Sequence, residues 1–525
     1  MNVSHTVTQQ HSLYSLQRTA LLSLTSGILL ILIQPPLSLF FLAYIALVPL
    51  LSALKGKNLC NAFLAGMITG IISYTGLLYW VVIAMNRYGG IDIGLSVVIL
   101  ILLVLYLSLY TACFTLSITY LHQRLSIPFF LSAPCVWVLL EYVRGIALTG
   151  FPWSLLAYSQ HTALPFIQVV SLTGPYFISY MVVAFNTIFF FLIDVYVYKT
   201  YSLRRFPAYL YTIVIFMVLT ASLLFGLYRL HQKDDTPFMS TIIQGNIAQD
   251  MKWDEASKIK TIQTYYTKTR DAGQNVDLIV WPETAMPFVF DHEPYVKQHI
   301  TALPALLNTR LLFGTLSRSS KKGFYNATYV YEKDGSLAGI YRKVHLVPFG
   351  EYTPLVDYFP FLEKLTAAGG DFIPGEEGHL PVRTGMGSLG ILICYEGIFP
   401  SITNETVRNG AQVLVNITND AWFGKTSAPF QHLAFYIFRA IETDRFVIRA
   451  ANTGISAIID TRGRILTHTD IFTDAVVKGR FAMKDTRTPY VHHGDYCIVL
   501  MVIMLLFVVL IRVWRASALR RGEKA

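Results

Sequence analysis

A polytopic α-helical membrane domain joined to an α/β domain is the fold class this sequence predicts, and three observations predict it. The 525 residues are 54% hydrophobic and only 14% charged, with a mean hydropathy of +0.48, too apolar for an ordinary soluble chain of that length. Apolar runs long enough to cross about 30 Å of hydrocarbon crowd the first 230 residues and recur once near the C-terminus. Between them, residues 231–490 alternate short apolar runs with amphipathic stretches, the pattern of an α/β layered fold.

In chain order, spans are expected near 20–34, 37–54, 59–85, 93–121, 127–148, 166–198, 210–230 and 496–514, about eight in all. The first is the least regular. Arg18 before an apolar stretch also fits a signal peptide, but no small-residue cleavage site follows, and Pro35-Pro36 reads as a tight hairpin into the next span. The expected domains are therefore a transmembrane domain of seven helices over 1–230, an extramembrane domain over 231–490, and a last helix with a basic tail over 491–525.

The net charge is +10 and the pI about 9.1, values that also suit nucleic acid, yet the cations sit beside the apolar runs. With the N-terminus inside, Lys55, Lys57, Arg124, Lys199, Arg204, Arg205, Arg515, Arg520, Arg521 and Lys524 all fall on the cytoplasmic side. The 231–490 domain then faces outward. Within the membrane part, Trp137, Glu141 and Arg144 lie at helical spacing ahead of Gly150-Phe151-Pro152-Trp153. They read equally as an intrahelical Glu141–Arg144 pair that fixes packing or as a polar wall for lipid headgroups. The five cysteines, Cys60, Cys113, Cys135, Cys394 and Cys497, form neither a disulfide framework nor a zinc spacing, and only Cys394 lies in the extramembrane region.

That region shows strand-like runs at 240–243, 277–281, 311–314, 389–394 and 413–417, with helical stretches near 254–272, 292–308, 399–409 and 428–443. Chemistry-bearing residues stand at the strand ends. Trp281-Pro282-Glu283 stops an apolar strand and presents a carboxylate, either a surface acid or a general base. Tyr341–Pro354 packs cations, Glu351 and rigid punctuation together, so Lys343 belongs to a basic rim or stabilises an oxyanion. Ile391-Leu-Ile-Cys394-Tyr-Glu-Gly397 ends a strand in a thiol at a turn toward a helix, a small core residue or a nucleophile biased to thiolate by the helix dipole. Gly350, Gly369, Gly370 and Gly375 suggest a mobile lid near 349–375.

Glu283, Lys343 and Cys394 in this order resemble the nitrilase superfamily, and the resemblance implies an α-β-β-α sandwich. Together with the spans and with Gly150-Phe-Pro-Trp, Gln244-Gly-Asn, Lys252-Trp253, Pro348-Phe-Gly-Glu-Tyr and Cys394-Tyr-Glu, the chain is similar to the superfamily's membrane-embedded acyltransferases of bacteria. The resemblance implies Cys394 as nucleophile, Glu283 as base and Lys343 as stabiliser of the tetrahedral intermediate. Glu351, Tyr395, Glu396 and Trp253 would support the triad or shape the entrance, or merely pack. It further implies a ping-pong reaction through a Cys394 thioester. The acyl chain would come from the sn-1 position of a phospholipid, typically phosphatidylethanolamine, and pass to the α-amine of a lipoprotein's diacylglyceryl-cysteine. No metal or cofactor is expected, and the enzyme is expected to act as a monomer in the inner membrane with its catalytic domain in the periplasm. A tethered amidase and an inactive lipoprotein-binding chaperone are the competing readings.

Overall fold

The computed structural model describes residues 2–197, 206–252, 255–319, 323–353 and 372–522. Lys199, Arg204, Arg205 and Lys524 of the basic loops, Trp253, and Gly369 and Gly370 of the expected lid lie outside the described residues. The chain forms two compact units, one of Met1–Tyr79, Val98–Leu227 and Asp495–Ala525, the other of Trp80–Val97 and Tyr228–Gly494.

Among the described residues six helices are long and apolar enough to cross a membrane: Leu59–Leu78, Ile93–Leu125, Phe129–Thr149, Pro175–Tyr196, Pro207–His231 and Tyr496–Arg515. The expected spans near 20–34 and 37–54 correspond to the shorter apolar segments Leu16–Leu32 and Phe40–Ala53. The second of these is broken into a 3-10 turn, Phe40–Tyr44, and a short helix, Val48–Ala53. Hydrocarbon offers no water to the backbone groups freed by such a break. Asn186 replaces it, donating to the Ala43 carbonyl at 2.8 Å and accepting from the Leu47 N–H at 2.7 Å.

The irregular backbone after Ile146 is satisfied in the same way. Glu141 accepts from the Leu156 N–H at 2.7 Å, Ser179 from the Ala157 N–H at 3.0 Å, and Gln34 donates to the Leu155 carbonyl at 3.1 Å. Arg144 donates to the Tyr74 hydroxyl at 2.6 Å. Glu141 and Arg144 therefore bond to different partners and not to each other: a loop folded back into the helices needs the carboxylate more than the next helical turn does. Gly66 and Gly70 bring Leu59–Leu78 against Ile93–Leu125. A Cβ on Gly66 would lie 2.6 Å from Ala112 Cα, and one on Gly70 would lie 2.7 Å from Ser108 Cα, the small-residue contact of lipid-embedded helices.

Among the described residues of the second unit, thirteen strands form two sheets: β1 (Phe238–Gln244), β2 (Leu278–Val280), β3 (Met286–Val289), β4 (Arg310–Arg318), β5 (Phe324–Tyr331), β6 (Leu337–Arg342), β7 (Val382–Thr384), β8 (Gly387–Ile393), β9 (Val413–Thr418), β10 (Val447–Ala451), β11 (Ala457–Ile459), β12 (Ile465–His468) and β13 (Ala475–Phe481). One sheet runs β13-β1-β2-β4-β5-β6 with β3 on β4; the other runs β12-β11-β10-β9-β8-β7. Their facing sides share one apolar core, with Ile242, Val280, Leu312 and Val330 from the first sheet and Ile391, Val415, Ile448 and Ile458 from the second. The first sheet's outer face buries Ile279, Trp281 and Phe313 with Tyr265 of helix Glu255–Ala272 and Ile300 and Leu303 of helix Pro294–Leu307. Helices Pro400–Arg408 and Ala428–Thr443 belong with the second sheet. The result is the α-β-β-α sandwich. Trp80, early in the chain, also joins this unit, its ring edge-on to Phe423 at 4.9 Å.

Candidate active site

The parallel strands of both sheets end on the same polar cluster. After β2 the Trp281 N–H continues the ladder to the Leu312 carbonyl at 2.8 Å, while the fully buried indole donates to Thr269 Oγ1 at 2.8 Å. The chain then turns at Glu283, with Thr284 held at φ +45°. Gly314 on β4 makes room for this turn: a Cβ there would sit 2.7 Å from Glu283 Cα. Glu283 is buried, and both its carboxylate oxygens are engaged. Oε1 accepts from Asn326 Nδ2 at 2.7 Å, and Oε2 accepts from the Asn419 N–H at 2.8 Å. Asn326 lies on β5 of the first sheet and Asn419 just beyond β9 of the second, so one carboxylate joins the two.

Lys343 follows β6 and is 1% exposed. Its main-chain N–H bonds the Asn326 carbonyl at 2.8 Å. Its Nζ lies 2.8 Å from Glu351 Oε2 and 3.8 Å from Glu283 Oε1. Burial alone would lower this amine's pKa, but Glu351, then Glu283, hold it well above the ordinary lysine range. Glu351 is fixed in turn by Asn326 Nδ2 at 3.0 Å and the Val347 N–H at 2.8 Å. A charged lysine held between two carboxylates is suited to meeting negative charge that develops nearby.

Cys394 ends β8 in the left-handed region, φ +52°. Its carbonyl accepts from the Tyr436 hydroxyl at 3.1 Å. Burial, then Glu283, push the thiol above its ordinary range, and Lys343 pulls the other way. This direction runs against the bias to thiolate expected from a helix dipole. The chain after Cys394 is a five-residue 3-10 turn, Cys394–Ile398, with too few aligned peptides to offset desolvation. Thr284, Phe349 and Cys394, all non-glycine residues at positive φ, flank the cluster; each such conformation costs roughly 1 to 3 kcal/mol.

Glu396 is fully buried. It accepts from the Tyr341 hydroxyl at 2.9 Å, the Val344 and His345 N–H groups at 2.8 and 3.1 Å, and the Ile393 N–H at 2.8 Å. It therefore ties the segment carrying Lys343 to the strand carrying Cys394. Tyr395 packs between His345, stacked at 5.8 Å, and Phe399. Burial first and Lys343 second lower His345 to about 4. The structure thus brings Glu283, Lys343, Glu351, Cys394, Tyr395 and Glu396 together.

Other members of the cluster escaped the sequence reading. Asn326 stands in a strand otherwise made of aromatic and β-branched residues and one alanine, a polar interruption visible in the sequence. Asp420, behind Cys394, is bound by Arg449 at 2.8 Å and His432 at 3.0 Å. Burial alone would raise its carboxyl, but these partners, Arg449 foremost, hold it well below the usual range. Nothing local marks residues 420, 432 and 449 as neighbours.

Comparison with known proteins gives two family matches: the carbon-nitrogen hydrolase family over residues 241–488 and the apolipoprotein N-acyltransferase N-terminal domain over residues 26–188. An apolipoprotein N-acyltransferase of Geobacter metallireducens is 39% identical over 91% of this chain and 92% of its own length. One from Nitrosomonas europaea is 31% identical over 90% and 92%. Among solved structures, Saccharomyces cerevisiae Nit3, a member of branch 10 of the nitrilase superfamily, aligns over 47% of this chain and 90% of its own, with 19% identity and a TM-score of 0.37.

Proposed function

Since the chain belongs to the apolipoprotein N-acyltransferase family, a multi-pass membrane enzyme that N-acylates lipoproteins, we propose that Cys394 carries the acyl group between a phospholipid donor and a lipoprotein acceptor. The observation that carries this reading is the buried Glu283–Lys343–Glu351 cluster, in which Glu283 and Lys343 act on the Cys394 thiol and Glu351 holds Lys343. Cys394 Sγ attacks the sn-1 ester carbonyl of phosphatidylethanolamine while its proton passes to Glu283. Lys343 stabilises the tetrahedral oxyanion, which collapses to an acyl-thioester as the lysophospholipid oxygen leaves with the proton from Glu283. The α-amine of the diacylglyceryl-cysteine then attacks the thioester and gives a proton to Glu283. The Cys394 thiolate departs and regains that proton.

Glu351 orients Lys343 in this scheme, and Glu396 and Tyr395 hold the Lys343–His345 segment. Trp253 is assigned to the substrate entrance on the family resemblance alone. The reading takes residues 1–230 and 491–525 as the membrane domain and 231–490 as the catalytic domain, on the periplasmic side of the inner membrane, in a protein acting as a monomer. Its physical support is the chemistry of the substrates. Each methylene drawn from lipid into water costs ~0.8 kcal/mol, so an enzyme with two lipid substrates gains by staying in the bilayer.

Intact-protein mass spectrometry after incubation with phosphatidylethanolamine tests the scheme. A hydroxylamine-sensitive acyl mass is expected on the wild type and not on Cys394→Ser. Transfer to a diacylglyceryl peptide without any such adduct would rule out the thioester, and turnover of a small soluble amide would favour a hydrolase instead.

A further inference from the structure

Lys252, last residue of the short helix Gln249–Lys252, is a second lysine buried in this site, 3% exposed. Its Nζ donates to the main-chain carbonyl of Glu283 at 3.0 Å, and among the described side chains it has no ion-pair partner. A buried ammonium lacking a direct counter-ion is costly. Burial accordingly lowers this amine to about 7, against the opposing pull of Glu283 and Cys394. Those two stand one at the end of each sheet; Lys343 and Glu351, paired at 2.8 Å, and Glu396 belong to the same cluster.

Two features give Lys252 work that packing does not explain. The carbonyl it holds belongs to the turn at Glu283, the same turn that needs Gly314 and a positive φ at Thr284. Charge balance is the second. Glu283, Glu351 and Glu396 outnumber Lys343, and a protonated Lys252 offsets part of that excess. Proton transfer from Cys394 to Glu283 keeps that total unchanged, so the thiolate forms in a site that already holds two cations.

Building on the assignment of Glu283 as base and Cys394 as nucleophile, we propose that Lys252 is a positioning residue of the acyl transfer: its amine clamps the turn that aims the Glu283 carboxylate, and its charge favours ionisation of Cys394. Below pH 7 the amine is charged; as pH rises through about 7 the charge is lost, and with it the assistance to the thiol.

The test measures the initial rate of hydroxylamine-sensitive acylation on the full-length protein in phosphatidylethanolamine nanodiscs, from pH 6 to 9. Wild type is compared with Lys252→Met, Lys252→Arg and Cys394→Ser. Lys252→Met is expected to be about ten-fold slower at pH 6, the effect of one pKa unit on thiol ionisation, with the deficit shrinking above pH 8. Lys252→Arg, charged throughout, is expected to recover most of the rate at pH 6 and to lose the inflection near 7. A Lys252→Met deficit that is constant across the range, or no deficit at all, overturns the proposal. Should Lys252→Met fail to fold, an inflection near 7 that persists in Lys252→Arg overturns it. An acyl mass absent from the wild type, or present on Cys394→Ser, instead refutes the nucleophile assignment beneath it.

Discussion

A buried carboxylate with four donors around it is an organiser whatever else it does, and Glu396 has the Ile393, Val344 and His345 N–H groups and the Tyr341 hydroxyl. Replacing one oxygen by an amide nitrogen sets a donor against donors. Glu396→Gln is expected to lose about 3 kcal/mol of stability, the scale of a hydrogen bond to a charged group, and about 100-fold in acylation rate through displacement of Lys343. Denaturant unfolding and the acyl-enzyme assay measure the two; a normal rate would remove Glu396 from the site's framework. His345 makes a pH prediction. Burial, then Lys343, lower its folded pKa to about 4 from an ordinary 6.5. The unfolded chain therefore binds more protons between those values, so this contribution to stability is complete above 6.5 and lost as pH falls toward 4. His345→Asn is expected to show a flatter fall in melting temperature over that window than the wild type, and parallel curves would contradict the assignment.

Helices and strands make different demands on the sequence. The apolar period located Glu255–Ala272, Pro294–Leu307, Pro400–Arg408 and Ala428–Thr443 to within a few residues, because helical spacing of apolar residues is a local signal. Local pattern does not mark strands β3, β5, β6, β7, β10, β11, β12 and β13. β5 carries Asn326, Ala327 and Thr328 among its aromatics, and β13 keeps Lys478 and Arg480 among its valines; only pairing with a neighbouring strand makes such segments regular. At the helix contact of the membrane unit, Gly70 faces the backbone of Ser108. Gly70→Val has nowhere to put two methyl groups and is expected to cost roughly 1 to 3 kcal/mol, read as a lower melting temperature in detergent. An unchanged melting curve would mean that these helices do not approach as described.

For the whole molecule, the prediction concerns sidedness. Under the positive-inside rule, the cations near the apolar runs lead us to expect residues 231–490 on the outer face. Proteinase K added to right-side-out spheroplasts is expected to cut within this region and to spare it in inverted vesicles. The reverse pattern would invert the topology and remove the catalytic domain from its proposed compartment. The same calculation of methylene cost that favours a membrane-bound enzyme requires that domain to meet lipid on the side where its acceptors emerge.

By itself the sequence determined that long apolar helices are joined to an α/β region, where the sandwich's helices lie, and that Glu283 and Cys394 stand at strand ends. Hydropathy, period and turn chemistry are local properties, written in neighbouring residues. Tertiary structure alone decided that Asn326 and Asn419 grip one carboxylate from two sheets, that Lys252 reaches the Glu283 carbonyl, and that Glu141 serves Leu156 instead of Arg144. It also decided that burial pushes the Cys394 thiol above its ordinary range. These outcomes depend on which groups meet after distant segments close, and on the water excluded when they do, neither of which any short stretch of chain specifies.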